Sequence, residues 1–423
     1  MLTKEDIEYI IANEGADVTR LLLSGKGKSG KGKNDQVNYP LCAKCIQARE
    51  KMKIKSPLWY SNPALVYPFA VSVEQGSSQT TALFKQQCIN SLFNGEEIIT
   101  ADLTGGMGID SWFISRISSI HYYFERNSEL CQATGYNFGQ LGAENIVISN
   151  RDVTADGGAV LNELKEKNIS LIYIDPARRT QTGGKAIMLQ DYEPNIIELQ
   201  QQLFAASRYI LVKVSPMADI KQNLQLLPKT SEVYIVAVNN ECKELLFLLD
   251  RMHNGSEPNI HSCNISSADT ADSLQCEQVT IKLSQEEQAQ AQYASKVEKY
   301  LYEPGKAIIK GGAYKLLSQM YGCSKLAPST HLYTSDGQKV EFPGKTFVVE
   351  EVVPFNKKAL KEVAARFPHA DLTARNFPLD TNALKKLSGI KDGGSRHIFA
   401  VTLTSGEKVL IITQPLRNSI QNH

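Results

Sequence analysis

Two groups of residues in this chain have the types and spacing to do chemistry. The first is a glycine-rich turn. Ile98-Ile99-Thr100-Ala101-Asp102 is a short apolar run closed by an acid, and Leu103-Thr104-Gly105-Gly106-Met107-Gly108 leads from it into an amphipathic stretch through Trp112, Phe113 and Ile117. That order reads as strand, tight turn, helix. Glycines leave no Cβ between backbone and ligand and tolerate positive φ, and a helix start offers unpaired N–H groups, so the turn suits a nucleotide-like molecule. The dinucleotide fingerprint G-x-G-x-x-G fits poorly, because Gly106 and Gly108 would need a third glycine where Ser111 stands. Glu125 closes the next apolar run, 23 residues beyond Asp102. A carboxylate there has the paired acceptors that two ribose hydroxyls require.

The second group is charge set among apolar residues. Asp175 follows the apolar run Ser170–Ile174, at the edge where open α/β sheets bind ligands. Lys213 interrupts Tyr209-Ile210-Leu211-Val212-Lys213-Val214, and a lysine inside such a strand is costly to bury unless it finds a partner or a pocket.

The elements that must position these groups alternate as in an α/β domain. A helix through Leu83, Cys88, Ile89 and Leu92, capped by Ser77 or Ser78, precedes the glycine turn and carries Lys85. Ile120–Phe124 is the second strand, Asn145–Asp152 a third that ends in an acid, Ser170–Ile174 the fourth and Tyr209–Val214 the fifth. Glu232–Val238 and Glu244–Leu249 follow, joined only by residues 239–243, a connection so short that the two strands must be antiparallel. Residues 253–280 are polar and read as a closing edge plus loop, and Gln285–Tyr300 reads as a helix. Beyond residue 345 come strand Thr346–Val353, helix Asn356–Arg366, strand Ala370–Arg375, helix Thr381–Leu387 and a hairpin of His397–Thr404 with Lys408–Thr413.

Ahead of the glycine turn, residues 3–22 and Leu41–Lys53 have helical patterning. Between them, residues 24–33 alternate Gly, Ser and Lys. Gly32 stands where a P-loop needs Ser or Thr after Gly30-Lys31, so this is a lysine-rich linker able to touch phosphate rather than a nucleotide site. Cys42 and Cys45 form the one C-x-x-C; without a second such pair or a histidine pair nearby, two reduced cysteines on a helix are favoured over zinc, and no metal site is expected.

The 423 residues carry 46 Lys+Arg and 45 Asp+Glu, unevenly placed: residues 1–67 are net +4, residues 68–300 net −10 and residues 301–423 net +7. Two readings fit: a polyanionic substrate held by basic flanks around an acidic catalytic centre, or solvated surfaces of differing sign. No apolar run is long enough to span a bilayer and the polar start is unlike a signal peptide, which leads to the expectation of a cytoplasmic protein.

The stretch Asp102–Gly108 resembles D-x-G-x-G-x-G, the first motif of class I S-adenosylmethionine (SAM) methyltransferases, with Thr104 at the first glycine position. The mostly parallel sheet ending in an antiparallel pair is similar to theirs. The resemblance implies a Rossmann-like α/β catalytic domain in which Asp102, Thr104, Gly105, Gly106, Gly108, Glu125, Asp152 and Asp175 surround SAM, Asp152 contacting the adenine amino group. The remainder resembles a bacterial methyltransferase family that carries a ferredoxin-like segment and a C-terminal THUMP-like module. The expected division is a helical N-terminal extension (1–67), the methyltransferase domain (68–284), a small ferredoxin-like linker (285–340) and a THUMP-like α+β domain (341–423).

Two acceptor chemistries remain open. Asp175-Pro176-Ala177-Arg178 resembles the D/N-P-P-Y/F motif of amino-group methyltransferases, with Ala177 in place of the second proline and Arg178 in place of the aromatic ring; a guanidinium can also stack on a base. Alternatively, Lys85, Asp175, Lys213 and Glu244 resemble the Lys-Asp-Lys-Glu tetrad of ribose 2'-O-methyltransferases, in which flanking charges would lower the Lys213 pKa so that it could deprotonate a hydroxyl. C5-pyrimidine transfer is disfavoured, since no cysteine lies between Cys131 and Cys242. RNA is the expected substrate, with Pro176, Arg178, Arg375, Lys385, Lys386, Lys391 and Arg396 as candidate contacts. A protein or small-molecule acceptor, or a non-catalytic RNA-binding protein that retains SAM, are the alternatives.

Overall fold

The computed structural model describes residues 2–19, 37–155, 158–178, 189–266, 270 and 273–416, with residue 178 described for its backbone. The chain divides into two compact units, Met1–Pro258 with Ile265–Cys276, and Asn259–Asn264 with Glu277–His423.

The first unit carries helices α1 (Lys4–Ala12), α2 (Tyr39–Lys55), α3 (Pro57–Tyr60), α4 (Ala70–Gln75), α5 (Gln79–Leu92), α6 (Ile109–Ser115), α7 (Ser128–Gln140), α8 (Ala159–Lys165), α9 (Ile196–Ala206) and α10 (Ile220–Leu226). Its strands are β1 (Ile98–Asp102), β2 (Ser118–Phe124), β3 (Ile146–Ser149), β4 (Ile169–Ile174), the short pair β5 (Ala177–Arg178) and β6 (Tyr192–Glu193), then β7 (Ser207–Val214), β8 (Thr230–Val238) and β9 (Glu241–Asp250). In the main sheet these run in the order β8-β9-β7-β4-β1-β2-β3. The pairs β1–β2, β1–β4, β2–β3 and β4–β7 are parallel, while β9 is antiparallel to both β7 and β8. The antiparallel strand is thus inserted between two strands that point the same way. This is the class I methyltransferase sheet.

Local chemistry sets the details. Ser78, and not Ser77, caps α5, its side chain accepting from the Thr81 amide. The β8–β9 turn is only Asn239-Asn240, with φ of 49° and 62°, which matches the left-handed pair that a tight two-residue hairpin needs. Strand β9 therefore begins at Glu241, and Glu244 lies within it rather than opening it. Asp152 stands three residues beyond the end of β3 instead of on it. At the N-terminus, α1 ends at Ala12, short of the expected helix to residue 22, and the lysine-rich stretch 24–33 lies outside the described residues. Cys42 and Cys45 both sit buried on α2, with the first sulfur 3.4 Å from the Asp6 carboxylate and the second facing the Tyr67 carbonyl.

The polar stretch read as closing edge and loop contains two neighbouring strands, β10 (Asn259–Ile265) and β11 (Cys276–Ile281). In the second unit the elements are α11 (Leu283–Gln288), β12 (Tyr300–Pro304), α12 (Lys306–Gly311), α13 (Leu316–Tyr321), β13 (Ser324–Ala327), β14 (Thr330–Ser335), β15 (Gly344–Pro354), α14 (Lys357–Arg366), β16 (Asp371–Arg375), α15 (Thr381–Ser388), β17 (His397–Thr402) and β18 (Lys408–Pro415). Seven strands form one sheet in the order β13-β14-β12-β15-β18-β17-β16. The helix expected over Gln285–Tyr300 stops at Gln288. Beyond it the backbone pairs with Lys325, whose amide donates to the Gln292 carbonyl (2.7 Å) and whose carbonyl accepts from the Ala294 amide (2.9 Å). Sheet-edge pairing has overridden helix propensity there. Among the described residues no helix is long and apolar enough to cross a membrane.

Candidate active site

The glycine turn after β1 is held open by its neighbours. Gly106 and Gly108 take φ of 55° and 80°, left-handed values that disfavour any side chain. Gly105 is required for a different reason, since a Cβ there would run into the Tyr123 ring. The buried Asp102 carboxylate staples the turn, accepting from the Thr104 amide (2.9 Å) and the Ser111 hydroxyl (2.6 Å). Burial pushes its pKa up to about 7, against the opposing hydrogen bonds from Ser111 and Thr104. Thr104 earns its place at a glycine position: its hydroxyl accepts from the Asp175 amide (2.7 Å) and ties the turn to the end of β4.

Around this turn lies a cavity of about 390 Å³, lined by Thr104, Gly106, Met107, Phe124, Glu125, Asp152, Val153 and Asp175, together with Ser72, Gln75 and Gly76 from the segment before α5. Glu125 accepts from the Gly106 amide (2.9 Å) and the Asn127 amide (2.7 Å). A carboxylate has about four lone-pair sites, so acceptor capacity is left over for a ligand. Asp152 is oriented by the Thr154 amide (2.8 Å) and hydroxyl (2.6 Å), and those bonds outweigh its burial to lower its pKa. These residues fit SAM on two counts. The cavity falls within the ~300–1,000 Å³ typical of small-molecule sites, and bare backbone at Gly106 lines it together with the carboxylates of Glu125 and Asp152.

Behind the turn the structure brings Lys85, Asp175, Lys213 and Glu244 into one charged cluster, but in two pairs. Lys213 Nζ lies 2.6 Å from Asp175 Oδ2, with side-chain exposures of 12% and 34%. Lys85 Nζ, wholly buried, lies 2.5 Å from Glu244 Oε1 and 3.2 Å from Asp110 Oδ1. Burial alone would lower the Lys213 ammonium, yet Asp175, Glu244 and Asp110 together drive it well above the usual lysine range. The expectation that neighbouring charges lower Lys213 is therefore corrected: three carboxylates surround it, and they favour the cation. Burial raises Glu244 despite Lys85 and Lys213, whereas the same two lysines overcome burial at Asp110 and lower it.

Three members of this network were not connected to the charged cluster by the sequence. Asp110 Oδ2 accepts from the Ser77 hydroxyl (2.6 Å) and the Tyr173 hydroxyl (2.7 Å), and Ser77 accepts in turn from Lys85 (3.2 Å). An acid two residues past Gly108, at the start of an amphipathic helix, was the available signal for Asp110. Ser77 stood out only as a candidate helix cap, and nothing in the sequence distinguishes Tyr173.

On the acceptor side, Pro176 is buried and Arg178 pairs with Tyr192 across β5–β6. In the second unit, Arg375 pairs with Glu303 (2.7 Å), Lys385 with Asp392 (2.5 Å) and Arg396 with Glu350 (2.6 Å), while Lys386 and Lys391 are exposed.

Residues 300–343 match a family of ferredoxin-like domains and residues 344–415 a THUMP-like family. The chain superimposes on the crystal structure of a Porphyromonas gingivalis W83 protein assigned as a methyltransferase, with 30% identity and a TM-score of 0.86 over 99% of this chain and 100% of that one. Lesser similarity is found to an rRNA methylase from Streptococcus thermophilus (14% identity, 39% of this chain and 96% of that one, TM-score 0.29) and to a SAM-dependent methyltransferase from Aquifex aeolicus (12%, 43% and 97%, 0.31). No curated protein matches the chain. The sheet order and the glycine turn define a class I methyltransferase. The chain belongs to the family of the P. gingivalis methyltransferase, in which that catalytic domain is joined to ferredoxin-like and THUMP-like domains.

Proposed function

We propose that this protein transfers the methyl group of SAM to RNA, that the acceptor is an exocyclic amine of a base, and that Asp175 is the catalytic residue. The observation that carries the reading is the division of the charged cluster. Asp175 borders the cavity at the glycine turn with Lys213 behind it, whereas Lys85 and Glu244 are sealed from solvent. Two of the four tetrad residues thus have no path to a substrate hydroxyl.

SAM supplies an electrophilic methyl group together with its own leaving group. The chain's residues hold and aim the partners. Glu125 pairs with the ribose hydroxyls, Asp152 with the adenine amino group, and Asp102 keeps the turn in shape for Gly105, Gly106 and Gly108 to lie against the cofactor. Asp175 accepts one amine hydrogen, which turns the nitrogen lone pair toward the methyl group. Lys213, held as a cation, has no lone pair with which to take a proton, so its part is to fix the Asp175 carboxylate. This suits an amine better than a ribose hydroxyl. Once methylated, an amine nitrogen is acidic and loses its proton readily, whereas a hydroxyl must be relieved of its proton as it attacks.

Support for RNA comes from the THUMP-like match over residues 344–415 and the net +4 and +7 of the flanking segments. Lys386 and Lys391 are the residues we assign to the RNA backbone, with Arg375, Lys385 and Arg396 exchanging their carboxylate partners for phosphate. The four-segment division of the chain belongs to the same proposal. The test is to incubate the full-length protein with methyl-labelled SAM and total RNA and to digest the RNA to nucleosides. Label in N-methylated adenosine or guanosine is expected. Label in a 2'-O-methyl nucleoside overturns the amine assignment, and label confined to protein overturns RNA. Asp175→Ala should lower turnover at least ~100-fold while SAM binding by calorimetry persists; normal turnover would exclude a catalytic role.

A further inference from the structure

The last turn of α2 stands at the lip of the cavity and has no part in the chemistry described so far. Lys51 and Lys55, four residues apart, share a face of this helix, and Ile54 beside them is 88% exposed. Both lysines reach across to α4: Lys51 pairs with the Glu74 carboxylate, and Lys55 Nζ donates to the Glu74 carbonyl at 2.5 Å. On that segment Gln75, next to Glu74, and Ser72, two residues before it, line the cavity. Lys55 is therefore anchored one residue from the wall of the site.

Its electrostatic position is unlike that of the other lysines there. Lys85, Lys213 and Lys51 each contact a carboxylate; among the described residues none is paired with Lys55. Burial, with Lys213 and Lys243 acting in the same direction, lowers its pKa to about 8 against the pull of Asp110, a carboxylate already held by Lys85. A partly desolvated cation facing other cations is a group that an incoming anion would relieve. The helix end does not explain it, because Lys55 donates to α4 and not to a carbonyl of its own helix.

We infer that Lys55 binds a backbone phosphate of the RNA strand next to the nucleotide presented to Asp175. The inference rests on the RNA reading above and gives the N-terminal helical segment a direct part in substrate binding. Lys51 is occupied by Glu74, so Lys55 carries the contact, and Ile54 offers an apolar surface to the adjoining sugar or base.

The test is fluorescence anisotropy of a labelled single-stranded oligoribonucleotide of mixed sequence, titrated with the full-length protein over a range of salt concentrations. Each phosphate contact to a single strand contributes about 0.7 to the slope of log affinity against log salt. Lys55→Gln should therefore flatten the slope by ~0.7 and weaken binding several-fold at low salt, with SAM affinity and thermal unfolding unchanged; Lys55→Arg should restore both. An unchanged slope in Lys55→Gln, with RNA still bound by the wild type, overturns the assignment alone. A wild-type protein that does not hold the oligonucleotide overturns the RNA reading and this inference with it. An equal loss of affinity for polyglutamate, which carries no phosphate, would also overturn it.

Discussion

Replacing Lys85 by methionine tests whether the inner half of the charged cluster is structural. Methionine keeps most of the stem's volume, so packing is nearly preserved while the ammonium is lost from its contacts with Glu244 (2.5 Å), Asp110 (3.2 Å) and the Ser77 hydroxyl (3.2 Å). All three partners are buried. Removing one member of a buried ion pair leaves an uncompensated charge and costs about 3–5 kcal/mol. Here Lys213 still acts on both carboxylates, so we expect the low end, ~3 kcal/mol at pH 7.5. Both tryptophans, Trp59 and Trp112, lie in the first unit with rings 6.4 Å apart, so intrinsic fluorescence in urea reports the unfolding of that unit. With a slope of ~3 kcal/mol per molar the midpoint should fall by ~1 M. Lys85→Met/Glu244→Leu should recover ~2 kcal/mol, because Asp110 keeps its Ser77 and Tyr173 donors. The pH dependence has a definite sign. Without the ammonium, both carboxylates shift upward and the fold prefers them protonated. The penalty is then present above their folded values and vanishes as pH falls toward the ordinary carboxylate range. A wild-type-to-variant gap under ~1 kcal/mol at neutral pH, or one that does not shrink between pH 8 and pH 5, would refute the reasoning.

Two further outcomes follow from the turn itself. Gly106→Arg places a long side chain at φ of 55° on the cavity wall and should abolish SAM binding; undiminished affinity in calorimetry would overturn the site. Asp102 has a folded pKa of about 7 against an ordinary value of 3.8, so the fold favours its protonated form. Its contribution is complete below pH ~4 and is lost as pH rises through ~7. Asp102→Asn should therefore flatten the loss of stability over that range, and an unaltered pH profile in urea unfolding would show that Asp102 is not the titrating group.

Much of the catalytic fold was legible because its signals are local. Alternating apolar runs, the acid closing β1 and the glycines after it leave few choices for strand, turn and helix. The short link between β8 and β9 could only be crossed by antiparallel strands. The helix expected over Gln285–Tyr300 failed for the opposite reason. Its Glu, Gln and Ala residues favour a helix, but pairing with Lys325, distant in sequence, decided the backbone. The position of β9 between β7 and β8 was likewise beyond reach, since strand order is a long-range property.

The charged residues draw the line most clearly. The sequence by itself determined only which elements carry Lys85, Asp175, Lys213 and Glu244, a helix ahead of the glycine turn and three apolar strands, and a resemblance alone grouped them. Only the tertiary structure decided how they pair, with Asp175 and Lys213 at the cavity and Lys85 and Glu244 sealed beneath Asp110, Ser77 and Tyr173. Pairing decides the charge state of Lys213, and charge state decides whether it can act as a base. A pKa depends on the distances to every neighbouring charge and on burial, and neither is written in the spacing of residues along a chain.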